Sequence, residues 1–168
     1  LKESINKFSN KLTLKELYRK FFANNFEGYK IFRNENNGIS DTLLLFSQGE
    51  SRQINQNLVE IFYCQLAYYL SEKNSRFKLK LAIALEEADL FEEAREVLNS
   101  ISESDIFFLE SRLVLADLLN KNKKERESIN ILENLINTYD HSFEIYELLG
   151  NIYRYNEKFE LSQTSYSK

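Results

Sequence analysis

Apolar and polar positions in the C-terminal half of the chain recur with a period of 34 residues. Leu81, Leu115 and Leu149 stand one period apart, each followed by a small residue: Ala82, Ala116 and Gly150. The same step links Leu85, Leu119 and Tyr153, then Ala94, Ser128 and Ser162, then Leu98, Leu132 and Tyr166. Within each window, apolar residues first recur at helical spacing, as in Leu79, Ala82, Ile83 and Leu85. A polar turn follows (Glu86–Asp89, Asn120–Lys124, Asn156–Lys158), then a second amphipathic run such as Ala94, Val97, Leu98 and Ile101. This predicts helix–turn–helix hairpins over Ser75–Phe108, Leu109–Ser142 and Phe143–Lys168, the last cut short. Helix starts are expected near Asp105, Glu125 and Ser142. Turns this short force the two helices of a hairpin to lie antiparallel and adjacent.

A fixed period of this length means an all-α helical solenoid, because no single unit buries its apolar face alone. Ala82, Ala116 and Gly150 are expected where the two helices of a hairpin cross, facing Ala94, Ser128 and Ser162. Small side chains there let the axes approach toward about 8 Å. The bulky pairs one turn along (Leu85 and Leu98, Leu119 and Leu132, Tyr153 and Tyr166) then close the layer.

Upstream, residues 40–74 fit the plan as a degenerate repeat, so the array covers residues 39–168. Phe46–Ser47 would be its large–small pair, and Val59, Tyr63 and Leu66 the inward face of its second helix. The richest apolar stretch, Ile61–Leu70, reads as a buried helix. Residues 1–38 match no period but carry Tyr18, Phe21, Phe22, Phe26, Tyr29 and Phe32 at helical spacings. That segment is expected either to cap the first hairpin or to bind a partner, a second copy of the chain included.

Composition narrows what such an array can do. Proline is absent and glycine numbers 4, so little punctuates the chain against helix. A net charge of −4, from 22 basic and 26 acidic residues, leaves no basic stripe for phosphates and excludes a nucleic-acid groove. No apolar run reaches the length that spans a bilayer. The chain has no methionine and stops inside a repeat, so it is expected to be a piece of a longer protein.

Candidate chemistry is sparse. The four glycines are isolated and form no phosphate loop. His141, the single histidine, falls in a turn beside Asp140 with no further nitrogen or sulfur ligand for zinc. Cys64 lies in an apolar run and is expected to pack as a small hydrophobe. Glu86–Glu87 and Glu92–Glu93 flank a turn, where they solubilise the surface and favour the second helix's N-terminus. No cofactor, metal or catalytic residue is expected.

These residues resemble the tetratricopeptide repeat. The best match is Phe143–Lys168, through Tyr146, Leu149–Gly150, Tyr153, Phe159, Ser162 and Tyr166. Ser75–Phe108 is similar through Leu81–Ala82, Leu85, Asp89–Leu90–Phe91 and Glu93–Ala94, and the middle window through Leu115–Ala116 and Leu119. Glu125 stands where an aromatic is usual, and Phe108 and Asp140 where a closing proline often falls.

The resemblance implies a right-handed superhelix whose concave groove takes a peptide or partner protein, and so a scaffold or adaptor. The corresponding groove faces carry Leu79, Ile83 and Glu86, then Leu113, Asp117 and Lys121, then Glu147, Asn151 and Arg154. Asn151 and Arg154 suit the carboxylate clamp of one family subtype, whereas Glu147 and Asp117 would repel a carboxylate. The candidate binding residues are therefore Leu79, Ile83, Leu113, Asp117, Lys121, Asn151 and Arg154, with the apolar ones as floor. The alternative is a spacer or self-association segment of a larger, possibly enzymatic, protein.

Overall fold

A computed structural model of the protein describes residues 35–47, 56–71, 74–139 and 142–168. Among these residues there are eight helices and no strand: α1 (Glu35–Ser47), α2 (Gln56–Leu70), α3 (Ser75–Glu87), α4 (Phe91–Asn99), α5 (Phe108–Lys121), α6 (Glu125–Thr138), α7 (Phe143–Tyr155) and α8 (Phe159–Tyr166). The chain divides after Phe108 into two compact units. In the first, α1 packs on α2, α2 on α3 and α3 on α4; in the second, α6 packs on α7 and α7 on α8. Helix α6 begins at Glu125, α7 follows Ser142, and α5 starts three residues beyond Asp105 after a short turn.

One backbone device, repeated at the period, makes the hairpins. Asp89, Lys123 and Glu157 all have positive φ, at 61°, 60° and 61°. Each follows the end of a first helix and reverses the chain. The next residue's amide then donates to the carbonyl five positions back: Leu90 to Leu85 (2.9 Å), Lys124 to Leu119 (2.8 Å) and Lys158 to Tyr153 (2.8 Å). The left-handed residue itself donates to Glu86, Asn120 and Arg154 respectively, completing a Schellman motif in all three turns. The second helix starts at once, with Ala94, Ser128 and Ser162 donating to the carbonyls of Leu90, Lys124 and Lys158.

Just past the turn the two helices of a hairpin meet through small residues. Ser128 Oγ donates to the Ala116 carbonyl at 2.6 Å, and Ser162 Oγ to the Gly150 carbonyl at 2.9 Å. Both bonds span 12 residues and both are buried, so each hydroxyl is satisfied by a helix carbonyl that its small neighbour leaves reachable. Ala94 stands 12 residues beyond Ala82 without a hydroxyl, and both are fully buried. At Gly150 a Cβ would sit 2.5 Å from the Tyr166 ring, so glycine is what lets that ring lie across the first helix. The layer behind the crossing closes over Leu85, Leu98, Leu119 and Leu132. In the last hairpin it stays open: Tyr153 is half-buried and Tyr166 is 44 % exposed.

The upstream hairpin departs from expectation. The inward face of α2 is Ile61, Cys64 and Ala67, not Val59, Tyr63 and Leu66, and Val59 is exposed. Because α2 is apolar on nearly every side, hydrophobicity alone does not set its rotation. The period does, since stepping back 34 residues from Leu98 and Ile101 lands on Cys64 and Ala67. For the same reason Ile61–Leu70 is not buried throughout: Phe62 and Tyr69 face outward. Helix α1 has slipped relative to the period. A step of 34 back from Ser75 gives residue 41, whereas α1 begins at Glu35 and buries Ser40 and Leu44. Arg76 ties the two hairpins of this unit together through Asp41, 2.8 Å away, and Asn74 caps α3 by accepting from the Arg76 amide. The aromatic segment Tyr18–Phe32, the side chains of Phe46 and Ser47, and the Asp140–His141 turn lie outside the described residues.

Two expectations about stability follow from this geometry. Ala116→Leu places three more carbons at a crossing with no free volume and should destabilise the protein by about 1–3 kcal/mol in denaturant unfolding. Gly150→Leu should cost less, because the obstructing Tyr166 ring can swing into solvent. The turns respond in the opposite direction. A left-handed conformation costs a non-glycine residue roughly 1–2 kcal/mol, part of which glycine returns as unfolded-state entropy. Lys123→Gly and Glu157→Gly should therefore each stabilise by roughly 0.5–1 kcal/mol. A loss of stability in both would refute the left-handed turn.

Candidate functional site

The repeat brings equivalent positions of successive first helices to one place. In the second unit, Asn156 Nδ2 donates to Asn120 Oδ1 at 3.1 Å and Lys158 Nζ to Glu125 Oε1 at 2.7 Å. These bonds hold the end of the last hairpin against the preceding one. Between α5 and α7 they leave a cleft of about 420 Å³. Asp117, Asn120 and Lys121 of α5 form one wall; Leu148, Asn151, Ile152, Arg154 and Tyr155 of α7 form the other. Asp117 and Asn151, Asn120 and Arg154, and Lys121 and Tyr155 are pairs exactly one period apart. On each helix they follow helical spacing (117, 120, 121; 148, 151, 152, 154, 155), so each wall is one side of its helix.

Charge in the cleft is mixed and partly self-neutralised. Lys121 Nζ lies 2.8 Å from Asp117 Oδ2, one turn apart on the same helix. Arg154 donates to Asn151 Oδ1 at 3.4 Å, and the Tyr166 hydroxyl donates to the same oxygen at 2.7 Å. A guanidinium has no acceptor, so the atom facing it is the amide oxygen, and the Asn151 side chain is oriented from two sides. The lining carries Lys121 and Arg154 against Asp117, one surplus positive charge. Its accessible apolar part is the half-buried Leu148 and the largely exposed Tyr155 ring, with Ile152, 1 % exposed, belonging to the core beneath them. Next along α7, burial raises the Tyr153 phenol above its ordinary range; Glu133 and Glu125 add to this and Lys158 opposes it.

Four of the seven residues expected to line a binding surface meet in this cleft: Asp117, Lys121, Asn151 and Arg154. The apolar floor expected of Leu79 and Leu113 is corrected by the structure. They are only 3 % and 8 % exposed and belong to the core. A first helix such as α3 packs on both α2 and α4, so two of its faces are buried and Leu79 lies on one of them. Ile83 is half-buried on α3 of the first unit. Asn120, Leu148, Ile152 and Tyr155 went unrecognised in the sequence. Extending the chosen positions by three and four residues along each helix would have found Asn120, Leu148 and Tyr155, but not Ile152.

Among the described residues no helix is long and apolar enough to cross a membrane. No protein-family model matches the chain, and no curated protein is similar to it in sequence.

The cleft side chains are largely solvated, so their polar contacts add little to folding. Asp117→Asn and Lys121→Ala should each change unfolding free energy by less than about 1 kcal/mol, the scale of an exposed ion pair. A thermal melt that drops as far as that of Ala116→Leu would mean the pair supports the fold instead of edging a surface.

Proposed function

We propose that the chain is a tetratricopeptide-like binding module, its antiparallel hairpins stacked in a right-handed superhelix, that takes a peptide or partner protein in the α5–α7 cleft. The observation that carries this reading is the composition of the cleft. It is built from equivalent positions of two successive first helices, where the scaffold's packing demands are met by other faces. Side chains at those positions are free to serve recognition. The small-residue crossings and the recurring turns support the family assignment, because they fall in phase with the pattern the sequence shares with that repeat.

The cleft suits a short segment with an apolar side chain for Leu148 and Tyr155 and polar groups of mixed charge beside it. Affinity would come from the apolar anchor, with Arg154 and the Asp117–Lys121 pair setting direction. Nothing in this arrangement calls for a cofactor or a reacting group, so the proposal is a scaffold or adaptor, not an enzyme.

Selection of the full chain against a random peptide library tests it. Enriched peptides should share a motif with a fixed apolar position, and the Asp117→Arg, Arg154→Glu double variant should bind them at least about tenfold more weakly while melting as the native chain does. Peptides that bind the two chains equally, or no enrichment at all, would leave a spacer role as the better reading.

A further inference from the structure

We propose that the outward stripe of α2 is a docking surface for a second copy of this chain. Helix α2 is apolar almost all the way round, the pattern of a helix enclosed on every side, yet among the described helices α1 and α3 enclose only one side of it. Outside the buried face of Ile61, Cys64 and Ala67 stand Leu58, Phe62 and Tyr69, which are 63 %, 58 % and 79 % exposed. With the exposed Gln65 they fall within about 60° of the helix circumference. Tyr68, the other outward aromatic on α2, has the Lys78 ammonium 5.7 Å from its ring centroid and lies off this stripe.

Three properties of the stripe select a second copy as its occupant. First, 58, 62, 65 and 69 are separated by four, three and four residues, the seam spacing with which one helix takes another knob-into-hole. Second, the stripe carries no charge; the only charged residue on α2, Glu60, lies off it and is half-buried, and burial, with the nearby Glu87 charge, raises its pKa while Lys80 opposes this. A two-fold axis sets each residue against itself or its mirror position, so a charge-free face avoids the like-charge pairs that self-association otherwise creates. An antiparallel pairing places Leu58 against the partner's Tyr69 and Phe62 against the partner's Gln65, with the axis between them. Third, with Val59 the exposed side chains offer on the order of 400 Å² per copy, or on the order of 1,000 Å² for the pair with its rim, the lower limit of a specific interface. The dimer is therefore weak and dependent on concentration.

Sedimentation equilibrium of the full chain, from low-micromolar to near-millimolar concentration, tests the proposal. The native chain should rise from the 19.9 kDa of one copy toward twice that mass. Phe62→Glu brings two carboxylates beside the axis and should weaken association by about a hundredfold or more, and Tyr69→Glu should do the same. Because both positions are exposed, helix content by circular dichroism should not change. Tyr155→Glu, on the cleft of the other unit, should leave the dimer intact. A native chain that stays monomeric throughout would overturn the proposal, and greater binding of a hydrophobic dye by monomeric Phe62→Glu would then point to residues 1–34 as the cover. A dimer that survives both Phe62→Glu and Tyr69→Glu would overturn it as well.

Discussion

The left-handed residue that ends α3, α5 and α7 is the constraint from which the hairpin geometry follows. By reversing the chain within three residues, Asp89, Lys123 and Glu157 return the second helix along the first with a fixed offset. That offset places residues 12 apart in contact, and a pair 12 apart has to be small on both helices. Ala82 with Ala94, Ala116 with Ser128, and Gly150 with Ser162 satisfy this in different ways: two methyl groups, or a hydroxyl given a carbonyl to donate to. A longer or differently shaped turn would change the offset and put bulky residues at the crossing.

The first helices are thereby left with two buried faces and one that is free. Helix α3 shows the consequence in its near-alternation of buried and half-buried residues from Ser75 to Leu81. On α5 and α7 the positions outside the core are Asp117, Asn120 and Lys121, and Asn151, Arg154 and Tyr155. They recur because the scaffold recurs, while their side chains differ because the core does not need them buried, although Asn120 also accepts the bond from Asn156. Tyr166 links the two roles: its ring lies over Gly150 and its hydroxyl orients Asn151 at the edge of the cleft.

Period, hairpin boundaries and crossing residues were legible in the sequence because each rests on short-range pattern. The left-handed turns were not, since the expected marker is glycine or asparagine and this chain uses aspartate, lysine and glutamate there. The rotation of α2 was lost for a different reason, an apolar residue at nearly every position. Leu79 and Leu113 were misread because helical periodicity reports that a face is apolar, not whether a neighbouring helix covers it. The polar members of the cleft were legible, as a charged residue on a first helix has few other places to go.

The 34-residue repeat is the structural unit, closed by a turn that sets a 12-residue offset. Nuclear Overhauser spectroscopy on the labelled chain measures this directly. Cross-peaks are expected between Ala82 and Ala94, Ala116 and Ser128, and Gly150 and Ser162, together with the large intraresidue HN–Hα contact of a left-handed residue at Asp89, Lys123 and Glu157. Helical contacts running without interruption through residues 88–90, 122–124 and 156–158, and no cross-peak at the 12-residue offset, would contradict it.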